Sequence, residues 1–204
     1  MLRSEAITII KRGLGFRQTQ DAAIISALKQ VQRDLELGQT LPNWLLVFDV
    51  EIPVVAGTGA YVLPPGFIRL HDDYPPYFYD TYDTYVELSR RRSDEPITTA
   101  EMRHYVLLDK TRIEFNPVPK VAGIVYLTYY KAALPLDSDI ENAWLKHAPN
   151  YMIGLAGLAV AGDVRDKGAA EKFGLMAKIG GRAFIGDVVE DELAGRPLIM
   201  GRNN

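Results

Sequence analysis

The spacing of apolar residues changes twice along this chain, and the two changes limit the folds it can adopt. The first stripe consists of Ile24, Leu28, Val31 and Leu35. Steps of three and four residues place these side chains on one face of a helix. From residue 45 apolar and polar residues alternate, as in strands, and after Pro135 the helical spacing returns. The sequence therefore predicts an α+β protein: a helical core with an inserted, small antiparallel β-region.

These changes divide one predicted domain into four segments. We expect N-terminal helices in residues 1–44, a β-rich insertion in 45–135, C-terminal helices in 136–185 and an extended tail in 186–204. Ser4 is predicted to cap the first helix. Phe48, Val50 and Ile52 are predicted to share one face of the first strand. Small residues between 154 and 161 would let another backbone approach closely, within one subunit or between subunits.

Composition excludes several classes of protein. A chain of 204 residues can bury a core without disulfides, and the absence of cysteine removes thiol nucleophiles and cysteine-bound metals. The 23 basic and 26 acidic residues give a net charge of −3, which argues against sequence-independent attraction to nucleic acid. No apolar run reaches the roughly 20 residues of a bilayer span, and a signal-peptide pattern is missing. We expect no membrane contact and synthesis in a cytoplasm.

The motifs of common enzymes are missing. His71, His104 and His147 lie far apart in the sequence, without metal-ligand spacing. Gly57 and Gly59 lack the third glycine of a dinucleotide-binding turn. Neither a phosphate-binding loop nor a serine-nucleophile elbow occurs. We therefore expect no catalytic residue, no cofactor and no bound metal.

The middle of the chain is acidic, with seven carboxylates and one basic residue between positions 49 and 87. Five of the acids could include the pair that a glycosidase uses, although a solvated acidic loop is the simpler interpretation. These five are Asp72, Asp73, Asp80, Asp83 and Glu87.

Aromatic residues are interleaved with these acids, and they predict a surface for protein or sugar contact. They are Tyr74, Tyr77, Phe78, Tyr79, Tyr82 and Tyr85. The C-terminal end lacks helical spacing but carries an apolar group that could become ordered on a partner. That group is Arg196, Pro197, Leu198, Ile199 and Met200.

Several short sequence motifs, in this order and spacing, resemble those of the head-to-tail adaptor (connector) proteins of tailed bacteriophages, particularly short-tailed phages. A helix over residues 22–38 is followed by LPNWLL at 41–46. The further motifs are TGAYVLPPGFIR at 58–69, YVLL at 105–108, IEFNPVP at 113–119, VYLTYYK at 125–131 with Leu134 and Pro135, and NAWL at 142–145. The similarity covers nearly the whole chain.

The resemblance implies a structural protein of the virion neck, assembled in the host cytoplasm. Such adaptors form a ring of twelve copies under the portal, continue the DNA channel used for ejection, and contact the next tail component, a nozzle or tail tube protein. DNA would pass without sequence-specific binding. The resemblance also implies that the C-terminal segment, Arg196 to Met200 here, docks on the portal.

Two groups of residues then acquire expected roles. The aromatic residues between Tyr74 and Tyr85 would contact the tail or a neighbouring subunit. The acids Asp49, Glu51, Asp72, Asp73, Asp80 and Asp83 are candidates for the channel lining, because carboxylates repel phosphate. The alternatives are a carboxylate-dependent cell-wall glycosidase and a glycan- or receptor-binding module built on residues 74–85.

Overall fold

The computed structural model describes residues 1–15, 21–38, 40–82, 84–91 and 101–194, with the backbone alone for 190–194. Within these residues the chain forms five helices and nine strands. The helices are α1 (Arg3–Gly13), α2 (Asp21–Glu36), α3 (Ala143–His147), α4 (Pro149–Asp163) and α5 (Lys167–Ala194). The strands are β1 (Leu46–Val54), β2 (Ala60–Val62), β3 (Phe67–Leu70), β4 (Tyr77–Asp80), β5 (Tyr85–Glu87), β6 (Ser89–Arg90), β7 (His104–Leu107), β8 (Arg112–Asn116) and β9 (Gly123–Lys131).

The chain forms two compact units. One comprises Met1–Trp44 with Ala133–Asn204, and the other comprises Leu45–Ala132. The described helices belong to the first unit and the described strands to the second. The predicted α+β class, with helices at both ends of the chain and a β-region between them, is confirmed. No helix in the described part of the chain is long and apolar enough to cross a membrane.

Helices α4 and α5 pack closely against each other because glycines lie at their contact. A Cβ atom added at Gly154 would lie 2.4 Å from the backbone nitrogen of Ala177, and one at Gly157 would lie 2.4 Å from the ring of Phe173. Gly180 of α5 faces the backbone of Tyr151 in the same way. The small residues of α4 therefore serve packing within the subunit.

The apolar stripe of α2 packs inward, but a polar residue joins it. Ile24 and Leu28 are fully buried, and Gln32, which the sequence pattern places on the exposed side, is buried as well. Its amide donates to Oε1 of Glu36 at 2.9 Å and accepts from Nδ2 of Asn142 at 3.1 Å. Gln32 is buried because these partners satisfy its amide.

The first helix begins one residue before the predicted cap, so the prediction for Ser4 was wrong. Glu5 takes the capping role, since its Oε2 accepts the backbone N–H of Leu2 at 2.8 Å. Ser4 lies in the first turn, where its N–H donates to Oδ1 of Asp139 at 2.8 Å. This hydrogen bond lowers the pKa of the Asp139 carboxyl below its ordinary value.

Helix α5 continues through Ala194, so the prediction of an extended tail from residue 186 was wrong for its first nine residues. Phe184 and Val188 are both buried and lie four residues apart, which extends the buried stripe past Gly186. Residues 195–204 lie outside the described residues.

The β unit contains two sheets that share a core. The first has the order β1-β9-β4-β5, with β3 also paired to β9, and all its described pairs are antiparallel. The second has the order β2-β8-β7-β6, in which β6 and β7 run parallel. Buried side chains from both sheets form one cluster that includes Ile52, Phe78, Phe115 and Leu127. Strand β9 is buried on both faces only over its last part, at residues 127–130.

An irregularity in β1 changes which side chains share a face. The register with β9 shifts between Val47 and Val50, and Asp49 within this bulge has a φ of 51°. A bulge inserts an extra residue and rotates the side chains that follow. Phe48 is consequently exposed while Ile52 is buried. The prediction that the two share one face of the strand was wrong.

Candidate interaction surfaces

The strongest aromatic feature of the β unit is a tyrosine surface on its first sheet. Alternation along β4 directs Tyr77 and Tyr79 to one face and Phe78 to the core, where it is buried. Across the sheet, Tyr126 of β9 pairs with Tyr77, and Tyr85 of β5 pairs with Tyr79. The Tyr77 and Tyr126 rings stack with centroids 4.9 Å apart, and Tyr85 lies 5.3 Å from Tyr77.

Carboxylates surround these rings. Glu51 of β1 pairs with Tyr126, and Glu87 of β5 pairs with Tyr77. The hydroxyl of Tyr77 donates to Oδ1 of Asp49 at 3.2 Å. Partial burial raises the pKa of Tyr77, and the Asp49 charge adds to this effect. We call this surface the acidic tyrosine face: Tyr77, Tyr79, Tyr85, Tyr126, Asp49, Glu51 and Glu87.

The predicted aromatic segment therefore separates into parts with different surroundings. Tyr77, Tyr79 and Tyr85 lie on the acidic tyrosine face, whereas Phe78 is 5% exposed and cannot contact a partner, which corrects its assignment to a contact surface. Tyr74 contacts Phe48 at 5.6 Å and His71 at 4.9 Å between ring centroids. Tyr82, in the turn between β4 and β5, is 77% exposed.

The acids proposed for the channel lining also differ in their surroundings. Asp72 and Asp73 are exposed between β3 and β4. Asp80 accepts the backbone N–H groups of Tyr82 at 2.7 Å and Thr84 at 2.9 Å, and these bonds, that of Thr84 first, lower its pKa. Its carboxylate therefore holds the β4–β5 turn. Asp83 lies outside the described residues.

A cleft of about 760 Å³ in the β unit brings two of the glycosidase candidates together. Asp72 and Glu87 both line it, beside Arg69, Arg90 and Tyr105. Both acids are exposed, whereas a glycosidase general acid is raised in pKa by an apolar environment. Burial raises the pKa of the Tyr105 hydroxyl. The cleft thus places charges of both signs in solvent, without the buried carboxyl that the glycosidase alternative requires.

The histidines occupy separate environments. The ring of His71 stacks on Tyr130 and that of His147 on Trp44, while Nδ1 of His104 lies 2.7 Å from the hydroxyl of Ser89. Among the residues that the structure describes, no group of three or more His, Asp or Glu side chains could hold a metal ion.

A second surface, which the sequence analysis missed, lies on α5. Leu175, Ile179, Ile185 and Val189 are about half or more exposed. At about 100° per residue they fall on the side of the helix opposite the buried Phe173, Ala177, Phe184 and Val188. Lys178 and Arg182 lie among them and are also exposed. We call Leu175, Lys178, Ile179, Arg182, Ile185 and Val189 the α5 ridge. Their helical spacing was visible in the sequence.

The predicted tail contact, Arg196, Pro197, Leu198, Ile199 and Met200, lies outside the described residues. Two exposed surfaces rich in apolar and aromatic groups, one in each unit, are typical of an α+β protein that binds other proteins. The comparisons with known proteins identify its family. The family model described as SU10 adaptor protein matches residues 2–198, and the chain therefore belongs to this family. It is a bacteriophage head-to-tail adaptor, as the resemblance implied. A comparison with curated proteins found no match.

Proposed function

We propose that this protein forms a ring under the portal in the neck of a tailed-phage virion, where it joins head to tail and continues the DNA channel. The observation that carries this proposal is the family match over residues 2–198. The two exposed surfaces support it, because a subunit of a closed ring contacts its neighbours through two different surfaces. The role requires surfaces and no reacting group.

The C-terminal segment is proposed to hold the ring on the portal. Leu198, Ile199 and Met200 form an apolar group at the end of the chain. An apolar segment that becomes ordered on a groove buries its side chains at the cost of its conformational entropy. Tyr74 and Tyr82, both exposed outside the acidic tyrosine face, are proposed to contact the next tail component.

The experiment that tests this function measures the complex formed with the portal of the same virus. We expect the full chain to add a ring to the portal, detected by native mass spectrometry. Replacement of Leu198, Ile199 and Met200 by alanine should abolish capture on the portal without changing the melting temperature. Replacement of Arg202, Asn203 and Asn204 by alanine is the matched control and should have little effect. A wild-type chain that fails to bind the portal would contradict the proposed function.

A further inference from the structure

The two surfaces of this chain complement each other. We propose that the acidic tyrosine face of one copy binds the α5 ridge of the next copy, and that this contact, repeated, closes the ring. The inference rests on the proposed function and assigns its subunit contact to named residues. The occupant of each surface is a second copy of this chain.

The α5 ridge has the chemistry of one half of such a contact. Leu175 is 60% exposed and Ile179 is 57% exposed, on a helix whose opposite side is already buried against α4. The ridge carries two basic side chains, Lys178 and Arg182, and the exposed Glu171 lies one turn before Leu175 on the same side of the helix, so the net charge of this side is positive. It therefore presents apolar groups together with positive charge.

The acidic tyrosine face supplies the other half. Its cross-strand positions hold tyrosines with Glu51 and Glu87, together with Ile124 and Pro53, so its charge is negative. Tyrosine rings pack against aliphatic side chains and attract cations over their faces. The guanidinium of Arg182 can also form two parallel hydrogen bonds with a carboxylate. Each group on the ridge thus has a partner of matching chemistry on the face.

Charge decides between this head-to-tail contact and self-pairing. A ridge paired with a second ridge would bring Lys178 and Arg182 near like charges, and two tyrosine faces would oppose carboxylate to carboxylate. Like charges placed against each other suppress such pairing. A contact between two different surfaces is heterologous, and heterologous contacts generate closed rings when the rotation between copies closes.

Charge reversal tests the contact in full-length chains assembled on the portal. We expect Lys178→Glu with Arg182→Glu, or Glu51→Lys with Glu87→Lys, to raise the chain concentration for half-maximal assembly at least about tenfold. A chain that carries all four substitutions should assemble within a few-fold of wild type, because the charges are again opposite. Lys120→Glu, between β8 and β9, is the control and should assemble like wild type. The inference would be overturned if the variant with all four substitutions needed as high a concentration for half-maximal assembly as the double variants.

Cross-linking tests the geometry, because the chain contains no cysteine. Ile179→Cys chains mixed with Tyr79→Cys chains should form intermolecular cross-links under assembly conditions, whereas neither variant alone should do so. Ser26→Cys, on the exposed side of α2, replaces either partner as the control. Cross-links from residue 179 to the portal instead of a second copy would overturn the inference. Failure of the wild-type chain to assemble would instead contradict the proposed function, so the two failures are distinguishable.

Discussion

At the scale of single residues, a buried asparagine connects three parts of the helical unit. Asn142 is fully buried, and its Oδ1 accepts the N–H groups of Trp144 at 2.9 Å and Leu145 at 3.2 Å, which caps α3. Its Nδ2 donates to Gln32 and to the carbonyl oxygen of Leu134 at 2.6 Å. Such a network stabilises the fold only while all its members are satisfied.

Asn142→Ala is expected to destabilise the helical unit by about 2–4 kcal/mol, because it removes a helix cap and leaves buried acceptors without their donor. Chemical denaturation would measure the loss in the free energy of unfolding. Asn150→Ala, at an exposed position of α4, is the control and should change stability by less than about 0.5 kcal/mol. Equal effects of the two substitutions would contradict the role assigned to Asn142.

A second residue-scale prediction concerns the turn of the β7–β8 hairpin. Oδ1 of Asp109 accepts two hydrogen bonds from Thr111. The Thr111 hydroxyl donates at 2.6 Å and the Thr111 backbone N–H donates at 2.7 Å. These bonds, the hydroxyl first, lower the pKa of Asp109 from 3.8 to about 2. The ionised carboxylate therefore stabilises the hairpin fully above pH 3.8, and this stabilisation is lost as the pH falls towards 2.

Thr111→Val removes the hydroxyl donor and should raise the pKa of Asp109 towards 3.8, so that stability depends less on pH in this acid range. NMR titration of the side-chain carboxyl carbon would measure the pKa directly. Thr58→Val, in another turn of the β unit, should leave the pKa of Asp109 unchanged. A pKa that stays near 2 in Thr111→Val would show that the hydroxyl is not its cause.

At the scale of elements, glycine sets the distance between α4 and α5. Alanine normally stabilises a helix relative to glycine by about 0.5–1 kcal/mol. At Gly157, however, the added Cβ would overlap the ring of Phe173, whereas at Gly162 nothing lies within 4 Å. Replacement by alanine is therefore expected to destabilise the protein at Gly157 and not at Gly162.

Gly157→Ala should destabilise the protein by about 1–3 kcal/mol, because it forces the Phe173 ring or the helix out of place. Gly162→Ala should be neutral or stabilising. Thermal unfolding of both variants would measure the difference, and Phe173→Leu combined with Gly157→Ala should recover part of the loss. A Gly157→Ala protein as stable as wild type would contradict the close contact.

The helices and strands could be predicted from the sequence because they depend on the spacing of residues that are close together in the chain. The stripe through Ile24 and Leu28 and the change to alternating spacing from residue 45 follow from periodicity alone. The bulge at Asp49 could not be predicted, because it depends on the register that β9 imposes. Burial of Gln32 depends on partners more than 100 positions away, at Asn142.

The candidate surfaces were predicted only in part for the same reason. The aromatic run at 74–85 indicated a contact surface, but strand alternation buries Phe78, and Tyr126 joins the surface from a distant strand. The α5 ridge was missed because apolar residues on both sides of a helix predict that both sides are buried. Whether the second side is covered within the chain depends on the packing of the other elements, which periodicity does not report.

At the scale of the whole molecule, the acids of the β unit serve different tasks. Asp80 and Asp109 hold turns, and Glu51 belongs to the proposed subunit contact. Asp72 and Asp73 are exposed in the β3–β4 connection. In the proposed ring they are the acids best suited to face passing DNA.

The last prediction follows from this assignment. Asp72→Lys with Asp73→Lys should leave ring assembly unchanged but slow the release of DNA from virions several-fold, because lysines in a channel attract phosphate where carboxylates repel it. The slowing should shrink as salt is raised, since exposed charges are screened beyond roughly 8 Å at physiological ionic strength. Asp72→Asn with Asp73→Asn removes the charge without reversing it and should give an intermediate rate. Release at the wild-type rate in the lysine variant would place both residues away from the channel, because charges that face the DNA cannot change sign without changing its passage.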